Sequence, residues 1–279
     1  MRTCKSMSIC TQVSKMGKNF LTTTLVGSVL LTASVSTPAE AGPPLSVQPP
    51  NVHRPAYGDI VTNWGYGPAE NAYNHLIEQA IEEHWTDKEN PLDPLMFKAL
   101  IAVESAFKTS AYSRTGCAGL VQISPDTARR FGLSMSPVDE RLVPEKAIPV
   151  GVKILAEKQL VVLQPDNYYG ILLGQPDKKL SYGTTVHKHY QAAGTPQGND
   201  LLHLGFASYN GGGGTVMRAM AKAVEMGKNP LDWNALVGSG PSDSPLFAAC
   251  LMVYKGGAHG KYQEMANYPK KIFNLMNKR

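Results

Sequence analysis

From about Glu70 onward, apolar residues recur three and four apart and almost nowhere alternate, a periodicity that commits the chain to a helical build. Leu76, Ile77, Ala80 and Ile81 set this spacing for a first helix. Asp93-Pro94 supplies a cap and a first-turn proline for a second, running through about Phe107. Ser124-Pro125 repeats the start signal for a short third helix, which Gly132 stops. Further helices are expected from about Glu145 to Leu160, Leu201 to Ser208, Thr215 to Met226, Ser244 to Tyr254 and Tyr262 to Asn277. Pro149 should delay or kink one of these, and Pro269 should mark a boundary within the last. Residues 161–199 mix Pro, Gly, Tyr and His and admit at most one helix, near 181–193. Strand signals are sparse, and 108–123 is the best place for a small β-hairpin. The expectation is a mainly α fold, one helical domain over 70–279 with a single core.

The N-terminal part reads differently. Lys15 and Lys18 precede an uncharged run from Phe20 to Val35, and Pro38-Ala39-Glu40-Ala41 closes it with a small-x-small ending. This is the pattern of a secretory signal peptide over 1–41, so the mature chain is expected to be exported, periplasmic or secreted. The alternative is a membrane anchor, but the run is barely long enough and its Thr and Ser residues weaken it. Pro43, Pro44, Pro49, Pro50, Pro55 and Pro68 make 42–69 a proline-rich linker. The formal charge of +5 falls to +2 once the first 41 residues are set aside, with 23 basic residues against 21 acidic. That balance gives no reason to expect a nucleic acid partner. Cys4 and Cys10 would leave with the signal, and Cys117 and Cys250 would either pair or stay as separate buried thiols. His187-Lys188-His189 lacks a third clustered ligand, so no metal and no cofactor are expected.

One acid stands where a core residue belongs. In the helix opened by Pro94, the positions Phe97, Leu100, Ile101, Glu104 and Phe107 share a face, and all but Glu104 are large and apolar. A carboxyl group among apolar side chains loses hydration, which favours its protonated form and suits it to donate a proton near neutral pH. The alternative is that Glu104, close to the helix end, reaches water or pairs with Arg114 or Lys108.

The residues downstream carry a resemblance. Glu104-Ser105-Ala106-Phe107, Ala111-Tyr112-Ser113, and the run from Gly116 through Gly119, Gln122, Pro125 and Thr127-Ala128 resemble the lytic transglycosylase family with the soluble-transglycosylase (SLT) catalytic domain. Pro144 to Leu155 looks like the family's next block, Ala207-Ser208-Tyr209-Asn210-Gly211 like its A-Y-N-A-G block, and Asn267-Tyr268 with Lys271-Ile272 like its closing Tyr motif. The sequence departs from the family pattern at Cys117 and Val121, in the run of four glycines from Gly211, and in a longer stretch between blocks, an insertion at about 161–199. That insertion would form a flap over the cleft or dock a partner such as a secretion apparatus.

The resemblance implies a lysozyme-like fold and non-hydrolytic cleavage of the β-1,4 bond between N-acetylmuramic acid and N-acetylglucosamine in peptidoglycan. Glu104 would protonate the leaving oxygen and then act as base on the sugar's own 6-hydroxyl, leaving 1,6-anhydro ends. Most glycosidases use a second carboxylate; here the substrate's N-acetyl group would assist instead. Ser113 and Gln122 would bind the sugar or its acetamido group, Tyr209 would orient Glu104, and Asn210 would contact substrate or shape its loop. Each has a plainer role open to it: turn closure for Ser113 and Gln122, packing for Tyr209, a helix cap for Asn210. Tyr268 would line the cleft or pack in the core. A hydrolytic muramidase and a noncatalytic wall-binding or secretion-assembly module are the alternative functions.

Overall fold

The computed structural model describes residues 60–278, and the expected signal peptide lies outside them. Eleven α-helices occupy the described residues: α1 Asn74–His84, α2 Pro94–Ser105, α3 Pro125–Arg130, α4 Pro144–Leu163, α5 Tyr168–Leu173, α6 Ser181–Ala193, α7 Gly198–Gly211, α8 Gly213–Glu225, α9 Trp233–Val237, α10 Pro245–Tyr254 and α11 Ala258–Met276. The start signals act through the expected chemistry. Asp93 accepts from the Leu95 amide at 2.8 Å and Ser124 from the Thr127 amide at 3.1 Å, while a proline follows each cap.

Both interior prolines behave differently from expectation. Pro149 lies inside α4, and Pro269 lies inside α11, which continues to Met276 without a boundary. Pro269 is buried, and packing on both sides holds the helix through it.

Two buried apolar clusters form the interior. One joins α1, α2, the 120–133 segment and the first half of α4; the other joins the end of α4 with residues of α6 through α11. Helices α7 and α11 serve both, since Phe206, Tyr268 and Ile272 belong to the first cluster and Leu204, Ala207, Met265 and Ala266 to the second. The seam between the clusters therefore runs along these two helices.

Residues 60–69, read from sequence as part of the linker, pack into the folded unit, with Ile60 buried. Glu70 collects this segment by accepting from the Thr62 hydroxyl (2.6 Å), the Trp64 amide (2.6 Å) and the Tyr66 amide (2.9 Å). Burial pushes the Glu70 carboxyl up, but those three donors and the Lys98 charge together hold it below its usual range. Lys98, fully buried on α2, donates to the Ile60 carbonyl and to Asn71 Oδ1, each at 2.6 Å.

The expected hairpin is reduced to two isolated antiparallel bridges, Tyr112 with Ala118 and Ala118 with Ile123. Left-handed backbone at Gly116, Gly119 and Gln122 turns the chain too often for strands to extend.

The 161–199 insertion holds two helices, α5 and α6, rather than one. Tyr190 anchors α6 by donating to the Val162 carbonyl at 2.8 Å, and Val186 is buried. Tyr168 of α5 sits on the glycine run: a Cβ on Gly214 would stand 2.9 Å from the Tyr168 hydroxyl, and one on Gly213 2.9 Å from Val161 Cγ1. Cys250 is a free, buried thiol and does not pair with Cys117.

Gly183 meets the preceding turn so closely that an added Cβ would collide with the Pro165 carbonyl. Gly183→Ala is expected to destabilise the protein by about 2 kcal/mol through this backbone clash, read as a lower thermal unfolding midpoint. An unchanged midpoint would mean that α6 is not packed as described.

Candidate active site

Helix α2 delivers Glu104 in its last turn, one residue before Ser105 closes the helix. The chain then bends through two successive left-handed residues, Ala106 (φ 51°) and Phe107 (φ 61°). Neither is glycine, and each such residue costs about 1 kcal/mol of backbone strain. Phe107 is held in this conformation by burial and by an edge contact from the Tyr66 ring at 5.4 Å. Gln122 (φ 49°) is a third strained residue; among the described residues only Lys255 adds a fourth non-glycine of this kind. Two of the four thus closely follow Glu104 in the chain.

Glu104 is half-buried, and its Oε1 accepts from the Tyr268 hydroxyl at 2.6 Å. This bond crosses from α11 to α2. Burial first, and then the Glu104 charge, push the Tyr268 phenol well above its ordinary range. Tyr209 is raised for the same two reasons. Both phenols therefore keep their protons under ordinary conditions, and Tyr268 remains a donor. The orienting bond expected from Tyr209 comes from Tyr268. The Tyr209 hydroxyl instead donates to the Val121 carbonyl at 2.8 Å, fixing the backbone beside Gln122.

Gln122 and Ser113 lie on one loop after α2. Gln122 Nε2 donates to the carbonyls of Gly119 (2.9 Å) and Ala111 (3.3 Å), bracing the loop from within. Ser113 Oγ accepts from the Cys117 amide at 2.9 Å and lies 3.0 Å from the Thr115 hydroxyl, closing a turn. Asn210 is buried, donating through Nδ2 to Glu264 at 2.8 Å and accepting at Oδ1 from Lys261 at 3.0 Å. Tyr209 thus ties α7 to this loop through Val121, while the polar ends of Asn210 face α11.

Sequence reasoning left Tyr268 undecided and passed over Lys261 and Glu264. The signal was present: Lys261, Met265, Tyr268 and Ile272 fall at helical spacing, and a lysine heads a buried stripe. Among the described residues no group of three or more His, Cys, Asp or Glu stands where it would hold a metal ion. No helix among them is long and apolar enough to cross a membrane.

Residues 82–231, more than half of the chain, match the family model described as Transglycosylase SLT domain, and the chain belongs to that family. Among solved structures it is similar to the 70 kDa soluble lytic transglycosylase SLT70 of Escherichia coli, with 18% identity, 74% of this chain and 25% of that chain covered, and a TM-score of 0.38. An inactive mutant of lytic transglycosylase Slt from Pseudomonas aeruginosa gives 17% identity, 75% and 25% coverage, and a TM-score of 0.34. The chain thus spans about a quarter of the length of each. No curated protein matches it.

The strain at Gln122 is separable from its side chain. Gln122→Ala and Gln122→Gly both remove the two loop-bracing bonds, but only glycine relaxes at φ 49°. Gln122→Gly should therefore be more stable than Gln122→Ala by about 1 kcal/mol, as measured by denaturant unfolding. The reverse order would remove the case for a left-handed residue here.

Proposed function

We propose that this chain is an exported peptidoglycan lytic transglycosylase in which Glu104 is the single acid and then base. The observation that carries the reading is the 2.6 Å bond from the buried Tyr268 hydroxyl to Glu104 Oε1, within a family whose domain the chain contains. A carboxyl group held by a fixed donor at Oε1 keeps a fixed orientation, from which it would present a proton to the oxygen between N-acetylmuramic acid and N-acetylglucosamine.

When that proton transfers, the glycosidic bond breaks with its electrons on the leaving oxygen, and Glu104 becomes a carboxylate. The substrate's acetamido group assists from the opposite side. Glu104 then takes the proton of the 6-hydroxyl as that oxygen closes on the anomeric carbon, leaving a 1,6-anhydro end and consuming no water. Ser113 and Gln122, on the loop after α2, would contact the sugar. Tyr209 would act through Val121 to hold that loop, and Asn210 would shape the start of the glycine run.

Digestion of purified cell wall by the full chain, followed by mass spectrometry of the soluble fragments, tests this. Anhydro ends are expected. Reducing ends would instead mark a hydrolase, and no release at all a noncatalytic module. Glu104→Gln should lower release by two to four powers of ten, roughly the contribution of one acid–base group, while the protein still folds. Tyr268→Phe removes a hydrogen bond to a charged group and should slow release by about tenfold to a hundredfold.

A further inference from the structure

Gly214 stands where two donors from different helices meet. A Cβ placed on it would lie 2.9 Å from the Tyr168 hydroxyl of α5 and 3.2 Å from Arg218 Nη1 of α8. Each donor is held from behind. Arg218 Nη1 donates to the Gly214 carbonyl at 3.0 Å, and the guanidinium lies over the Tyr182 ring of α6, 5.0 Å from its centroid. The Tyr168 ring meets the Tyr169 ring edge-on at 5.3 Å, and the Lys178 ammonium covers Tyr169 at 4.6 Å.

Neither donor is matched by an acid. Among the described residues Arg218 makes no ion pair, and its bond to Gly214 leaves most of its N–H groups uncommitted. The Tyr168 hydroxyl donates to no described residue. Burial raises this phenol above its usual range, with Arg218 acting the other way, so it keeps its proton and remains a donor. Glu157, the acid that acts on Tyr168, is already taken: its Oε1 lies 2.9 Å from Arg130 Nη2 and 2.8 Å from Lys158 Nζ.

A brace between α8 and the 161–199 insertion would not need a charge. Methionine packs on a tyrosine ring without the cost of drawing a cation half out of water, as Arg218 is drawn. We propose that Arg218 and Tyr168 form a carboxylate-binding site whose ligand is a free carboxylate of the peptide stem borne by the N-acetylmuramic acid of peptidoglycan. The planar guanidinium offers a fork of N–H groups that fits both oxygens of a carboxylate, and the phenol adds a further donor. The glycine run follows Asn210 directly, so the site lies on the stretch of chain that leaves the proposed sugar contacts. This proposal rests on the reading of the chain as one that acts on peptidoglycan.

The test measures binding, not turnover. Isothermal titration calorimetry uses the full chain carrying Glu104→Gln, which leaves the ligand intact, and soluble uncrosslinked peptidoglycan strands that bear peptide stems. The same strands with their carboxylates converted to methylamides should bind about tenfold more weakly, as expected for the loss of a hydrogen-bonded charge pair. Arg218→Met should weaken binding of the native strands about tenfold and leave the amidated strands unaffected. Tyr168→Phe should act with the same selectivity by about threefold. Equal affinity of the parent for both kinds of strand, or an Arg218→Met loss of the same size on both, would overturn the proposal. If Arg218→Met does not fold, Tyr168→Phe decides: a loss confined to native strands supports the site, and a loss on both or on neither rejects it. A parent that binds neither kind rejects this site together with the peptidoglycan reading. A chain that prefers native strands yet releases no anhydro ends keeps the site and loses only the proposed chemistry at Glu104.

Discussion

A carboxyl group withdrawn from water must find its donors within the protein, and here a donor is brought by a different helix from the one that carries the acid. Tyr268 on α11 reaches Glu104 on α2. Tyr268 and the buried residues of α2 belong to one apolar cluster, so the packing of α11 on α2 specifies this hydrogen bond. The converse dependence is weaker: a buried hydrogen bond contributes about 1 kcal/mol to stability, whereas the docked helices bury many side chains. The site is a beneficiary of the fold and contributes little to it.

The strained corner after Glu104 follows the same logic. Two left-handed non-glycine residues in succession would relax unless their surroundings held them, and the surroundings trace to residues far back in the chain. Glu70 gathers the amides of Trp64 and Tyr66, and the Tyr66 ring then lies against Phe107. A segment that composition marks as a linker is therefore part of what fixes the exit of α2.

The sequence revealed the helices well because their start signals are local: a cap such as Asp93 acts on an amide two residues away. Glu104 was legible for a related reason, since one helix's periodicity exposed it as the odd member of its stripe. The same test applied to α11 would have found Lys261, but that lysine lies close to other charged and polar residues, Gln263 and Glu264, and so did not stand out. Partners across helices were not legible. That Tyr268 rather than Tyr209 meets Glu104 depends on how α7 and α11 sit on α2, and no local pattern encodes it. The hairpin failed because the amide partners of 111–123 are supplied by turns, and left-handed residues such as Gln122 carry no compositional mark.

Two departures from the family pattern prove to be one structural feature. The lengthened segment after α4 and the run of four glycines are far apart in sequence, yet Tyr168 from the first lies on Gly213 and Gly214 from the second. A Cβ on Gly214 would meet the Tyr168 hydroxyl and one on Gly213 would meet Val161, so both glycines sit in close contact with this segment. The loop begins at Gly211, immediately after Asn210, whose side chain Lys261 and Glu264 hold. The insertion therefore bears on the loop at the end of α7, a few residues from Asn210. Its apolar residues, Val186 and Tyr190 among them, are spent in the second cluster. A segment so anchored acts first as a wall of the molecule beside the glycine loop.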